Sequence, residues 1–303
     1  MRNLKYVLLI LSILLIFFSV ILMTKTKEPF VITTSPQVHS YKFTSDTESF
    51  HIKLLVNEKD SYYIQKESVD KLQLSFDDQT IPLRIQDIRV YESNDQFLVD
   101  LSVQIAFHSN DYLIEYDHAY LDITYTNKNA ISLYIGEFNY LFQSTNTNDL
   151  DFINLSATYQ EVDGVNTVSG IVIDLVNKTE NNIIIKDIDI LSKTVHINND
   201  YITEVFTEVD SFKQIDELLD LEYSFFDYER DDLNLYLQAH ETKKLLAPLV
   251  YNGDITFIHR FVLVFTYIDG TEEKTYVIDD FPYMNTSTFN PEYTENLISY
   301  EID

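Results

Sequence analysis

The chain has 303 residues, no cysteine and no tryptophan, and its 49 acidic against 21 basic residues give a formal charge of −28. The missing cysteine excludes disulfides, thiolate metal sites and cysteine nucleophiles. The acid excess excludes a general nucleic-acid binder, which needs a basic footprint, and an apolar fraction of 45% excludes a disordered chain.

Residues 6–23, YVLLILSILLIFFSVILM, form a nearly unbroken apolar run. At a rise of ~1.5 Å per residue, such a helix crosses a bilayer core of ~30 Å. Arg2 and Lys5 flank one end, Lys25 and Lys27 the other. A cleaved secretory signal has a shorter apolar stretch and a small-residue exit, whereas this run leaves through Met23-Thr24-Lys25. Only Ser12 and Ser19 interrupt it, so it lacks the polar face of a soluble core helix. Residues 1–27 therefore read as an uncleaved N-terminal membrane anchor, with the bilayer contacted through residues 6–23. The more basic N-terminal flank places that end inside. The expected location is the cell membrane, single-pass, with the C-terminal ectodomain outside the cytoplasm. All acidic residues lie at or after Glu28, so the ectodomain carries the whole acid excess. A cysteine-free extracytoplasmic chain suits a bacterial cell envelope.

Residues 28–36 read as a spacer, because Pro29 and Pro36 discourage regular structure. Strand signals follow at residues 49–57, 71–76, 85–92, 97–107, 119–126 and 131–135. Several of them alternate apolar with polar residues, as a sheet with one wet face does. Polar turn clusters separate them. The polar stretch 143–151 marks a domain boundary, giving a first domain over 37–146 and a second over 147–303. In the second, Asp163-Gly164 and Asp269-Gly270 each join two apolar runs, the signature of a two-residue hairpin. Residues 211–223 show apolar residues at helical spacing behind a Ser211/Gln214 capping box, a helical insertion. The chain from Asn290 onward reads as a tail. The expected fold is an all-β ectodomain of two antiparallel β-sandwich domains, immunoglobulin-like, with one short helix, behind a single transmembrane helix.

The densest cluster of possible ligands is His108, Asp111, Glu115, Asp117 and His118, imidazoles and carboxylates that suit a divalent metal. Their spacing matches no established metal motif, and a wet turn followed by an edge strand accounts for them equally. If residues 112–116 form a strand, Asp111, Leu113, Glu115 and Asp117 share a face. The acidic run 227–232 and Asp77-Asp78 offer oxygen ligands for Ca²⁺ but lack the frame of a calcium loop. No G-x-S-x-G occurs, and five glycines leave no phosphate-cradling loop. Tyr62, Tyr63, Tyr112, Tyr116, Tyr120, Tyr125, Tyr134 and Tyr140 crowd the first half; tyrosine favours strands and also anchors partners. The expectation is a non-catalytic binding or scaffolding protein, without a cofactor, that holds a protein or envelope component near the membrane. The alternatives are an accessory or sensor subunit of a membrane transport or secretion complex and, behind it, an envelope hydrolase.

Overall fold

A computed structural model describes residues 29–44, 48–77, 79–93, 96–106, 112–143, 147–162, 165–206, 215–226, 233–253, 258–279 and 297–302. The expected anchor at 6–23 lies outside them. Among the described residues no helix is long and apolar enough to cross a membrane.

The first half holds β1 (Phe30–Thr34), β2 (Gln37–Phe43), β3 (Phe50–Val56), β4 (Val69–Phe76), β5 (Gln79–Ser93), β6 (Gln96–Ile105), β7 (Tyr112–Tyr125) and β8 (Ala130–Phe142). The second holds β9 (Leu150–Val162), β10 (Val165–Asn177), β11 (Ile183–Ile190), β12 (Val195–Ile197), β13 (Thr203–Glu204), the helix α1 (Ile215–Leu219), β14 (Leu235–Leu237), β15 (Thr242–Tyr251), β16 (Ile258–Arg260), β17 (Leu263–Asp269), β18 (Glu272–Ile278) and β19 (Ile298–Ile302).

Strands of the first half run in the order β5-β6-β3-β1 on one side and β5-β4-β7-β8-β2 on the other. The first half thus has two layers around one apolar core, to which Phe50, Leu101, Leu121 and Phe138 all contribute. The order matches the A-B-E-D and G-F-C sheets of an immunoglobulin sandwich. Two devices let the chain change layers. Pro36 lies between β1 and β2, which belong to opposite sheets. Pro82 lies where β5 leaves β4 for β6: its last partner on β4 is Gln73, and Leu83 already faces Ile105. A proline lacks the N–H that a continuing ladder would need, so it fits a corner.

The second half repeats the plan. One sheet runs β9-β10-β15-β12, with β13 also on β15; the other runs β18-β17-β11-β14. Their shared core includes Ile173, Ile185, Leu249 and Phe265. The hairpin at Asp269-Gly270 forms one residue later than the sequence predicts: Asp269 pairs with Glu272, so the two turn residues are Gly270 and Thr271, with Gly270 at φ +63°. The pairing of Val162 with Val165 brackets Asp163-Gly164.

Several expectations need correction. Residues 28–36 are not a spacer throughout: Phe30–Thr34 is β1, a buried strand whose prolines mark its limits. The presumed tail contains β19, which pairs antiparallel with β1 from Phe30↔Ile302 to Thr34↔Ile298. Residues 258–260 and 298–302 of the second half therefore extend the sheets of the first. The sandwiches are not wholly antiparallel, since β2 runs parallel to β8 and β16 parallel to β2. The helix stops at Leu219. Asp220 takes φ +54°, and the Leu221 N–H donates to the Asp216 carbonyl, a closure of Schellman type. Ser211 and Gln214 lie outside the described residues.

Candidate functional site

The site develops from one irregularity in the β7–β8 pair. The register slips between Tyr116 and Ala119, opposite Gly136. Gly136 has φ +100°, and a Cβ there would come within 2.3 Å of the Gln37 backbone nitrogen. Only glycine tolerates both constraints. The bulge shifts the alternation along β8. Leu133, Ile135, Phe138 and Tyr140 are core residues; Ser132, Tyr134, Glu137 and Asn139 face the other way.

On that outward face lies a row of rings. His118 stacks on Tyr134 with centroids 6.0 Å apart, and Tyr134 meets Tyr120 at 5.3 Å. The Tyr134 N–H donates to Tyr300 Oη on β19 at 2.9 Å. Burial raises the Tyr134 phenol above its ordinary pKa. At one end of the row, Asp122 accepts from Ser132 Oγ at 2.6 Å and from Gln73 Nε2 at 3.2 Å. At the other end, Asp117 lies 3.7 Å from His118 Nδ1 and 3.9 Å from Nζ of Lys193, which the second sandwich supplies.

Beside this row the two sandwiches join. Glu137 is 2% exposed. Its Oε1 accepts from the Lys193 N–H at 2.7 Å and from Asn139 Nδ2 at 2.5 Å. Its Oε2 accepts from the Thr194 N–H at 3.2 Å, from Ser192 Oγ at 3.1 Å and from the Thr194 hydroxyl. A buried carboxylate is tolerable when several donors replace its water, as here. Ser40 extends the join: its hydroxyl donates to the Leu191 carbonyl at 2.6 Å and accepts from Asn139 Nδ2 at 3.1 Å. Val38 packs into the second core, and Leu141 packs against Leu191, Val262 and Val277.

His39 lies in the same junction, on β2 opposite Arg260 of β16. Burial pushes its pKa down to about 4, a hydrogen bond at the Ile135 backbone opposing in part. Tyr41 Oη lies 3.5 Å from His39 Nδ1 and donates to the His51 carbonyl at 3.1 Å. The Arg260 guanidinium lies 5.7 Å from the Tyr41 ring centroid and donates to the Asp279 carbonyl.

Of the residues singled out from sequence, His108 and Asp111 lie outside the described residues. Leu113, Glu115 and Asp117 share the outward face of β7, Glu115 opposite Asn139. Asp117 and His118 come together on the bulge, with side chains 55% and 67% exposed. Among the described residues no three His, Asp or Glu side chains could hold a metal. The run 227–232 and Asp78 lie outside the described residues. The tyrosines divide: Tyr125 and Tyr140 are core, and Tyr116 stacks on Phe76 at 4.0 Å. Tyr62 and Tyr120 are exposed. The sequence reading missed Glu137, Asn139, Ser40, His39 and Lys193. A glycine followed by a charge inside the apolar stretch ISLYIGEFNYLF was the signal for the first two.

An apolar cavity of about 30 Å³ in the first core, lined by residues such as Ile32, Leu54 and Tyr125, is too small for a substrate. The outward face offers ring surfaces, hydrogen-bond acceptors and one ammonium, and suits recognition.

No family model matches the chain. No curated protein matches it either. Among solved structures it is similar to a GspB Siglec domain, at 12% identity over 41% of this chain and 61% of that one, with a TM-score of 0.21. It is similar also to the YadV chaperone, at 11% identity over 82% of this chain and 100% of that one, TM-score 0.20. A third is the C-terminal domain of the Streptococcus agalactiae AgI/II polypeptide BspA, at 8% identity over 81% and 99%, TM-score 0.18. The immunoglobulin-like assignment rests on the strand order of the two sandwiches.

Proposed function

We propose that this chain is a membrane-anchored extracytoplasmic protein of a bacterial cell envelope that binds or scaffolds a partner protein without catalysis. The apolar run at 6–23 supports the anchor, and the acidic remainder supports a body that stands off an anionic membrane. The observation that carries the binding role is the ring row His118–Tyr134–Tyr120, half-open to solvent and continued onto the second sandwich at Lys193. Tyrosine on a rigid sheet presents contact area at low entropic cost. Because Glu137 and Ser40 fix the second sandwich beside the row, the surface is assembled before a partner arrives.

A photo-crosslinking residue at Tyr120 in the full-length protein, irradiated in native membranes, tests this. Capture of one protein partner, lost on His118→Ala and absent for a crosslinker at Tyr91, is the expected result. Equal capture from both positions refutes the assigned face. Removal of residues 6–23 releases the protein from the membrane fraction; retention refutes the anchor.

A further inference from the structure

An open strand edge is a template for another chain, and proteins guard such edges with brevity, Lys, Pro or bulges. Among the described residues most edges here are guarded. β12, β13, β14, β16 and β19 are short. Past Pro82, β5 carries Arg84 and Arg89 and is bulged between Ile85 and Asp87, and Lys66 Nζ donates to the Gln86 carbonyl at 3.1 Å. β18 opens with Glu272-Glu273-Lys274.

β9 differs. It is 13 residues long and contains no Lys, Arg, Pro or Gly. Among the described residues it pairs with β10 alone. Its guards are two register irregularities, one opposite Tyr159 and Thr158 and one between Leu155 and Phe152; only the second falls between residues 151 and 157, and it leaves Ile153 64% exposed. The charge around it is mainly negative. β9 itself carries Asp151 and Glu161. α1 lies against β9, its Ile215 beside Gly170 of β10. α1 carries Asp216 and Glu217; Asp220 and Glu222 follow, and residues 215–226 include no Lys or Arg. Lys178 offsets only Asp151, at 3.1 Å.

We propose that the outer edge of β9, over residues 151–157, receives an extended segment of another protein with Lys or Arg at alternate positions, adding a strand to the β9-β10-β15 sheet. Main-chain hydrogen bonds supply affinity, and alternate side chains supply selection. A second copy of this chain fits worse. Two copies joined at this edge would bring together chains that each carry −28, with the acidic α1 of each beside the seam.

The full chain in detergent micelles is titrated with a synthetic decapeptide alternating Lys and Val, and with one alternating Glu and Val. The Lys–Val peptide binds at least about tenfold tighter, weakens with salt, and protects backbone amides of residues 151–157 from exchange. Ile153→Lys, at an exposed position, lowers that affinity about tenfold at unchanged melting temperature. Ser156→Lys gives the same reading from the neighbouring stretch of the strand. Glu161→Gln with Glu217→Gln flattens the salt dependence and keeps the protection. Equal binding of both peptides, protection elsewhere, or indifference to both lysine variants overturns the proposal. So does a dimer in sedimentation that Ile153→Lys abolishes, because the edge would then belong to a second copy.

Discussion

His39 makes stability depend on pH in a window set by its burial. The unfolded chain takes up the imidazole proton near 6.5, and the folded chain does so only near about 4. Between those values the unfolded state holds one more proton, so stability falls as the pH drops through the window. The slope is about 1.4 kcal/mol per pH unit, and the whole window amounts to about 3.4 kcal/mol. From pH 7 to pH 5 the loss is about 2 kcal/mol. His39→Gln carries no titrating group and removes this term. Urea denaturation of both proteins between pH 5 and pH 7, followed by tyrosine fluorescence in the absence of tryptophan, isolates it. The free-energy difference between wild type and variant should shift by about 2 kcal/mol against the wild type over that range. Asp87, Asp151 and Asp269 do not confuse the comparison. Arg89, Lys178 and Lys274 hold them below the ordinary carboxylate value of 3.8, so their contribution, present above that value, is lost only as the pH falls further. Parallel curves for the two proteins would refute a neutral, desolvated His39 in the junction.

Gly136→Ala should cost at least about 2 kcal/mol and lower the melting temperature by several degrees, because the added carbon meets the Gln37 backbone at an already strained φ. Glu137→Gln turns an acceptor into a donor facing other donors and should cost about 2–3 kcal/mol by chemical denaturation; Thr194→Val, which removes one of those donors, should cost less. Calcium at about 10 mM should leave the melting temperature where an equal ionic strength of sodium chloride leaves it, and a calcium-specific rise would reveal a site.

The strands most legible from sequence were those with one wet face and polar turns. β3 and β6 emerge within two residues of the predicted limits. β5, β7 and β8 were cut short where local chemistry argued against a strand. Pro82 hid the start of β5, and the Asp117-His118 bulge hid the first half of β7. Gly136-Glu137 stopped the reading of β8 at Ile135. Each break is a place where tertiary context replaces local propensity: a corner, a bulge, a carboxylate satisfied by a remote loop. β1 and β19 were illegible for another reason. Each is a five-residue strand, and its stability comes from a partner far away in the sequence. The candidate surface was half legible. Asp117, His118 and the tyrosines stand out by type, but Lys193, Ser40 and Glu137 acquire meaning only once the sandwiches meet.

The pairing of β1 with β19 bears on mechanical load. Tension transmitted along the chain from residue 29 pulls β1 along its own axis. β1 is held laterally by β19 over its whole length and by β3 at Ile32 and Thr33. The ladder bonds on β1 then resist together in shear and do not open one at a time from an end. Part of that force passes to β19, and so to the chain segment that leads back to the second sandwich. A pull applied at residue 29 is thereby shared by both sandwiches before any single strand is drawn out.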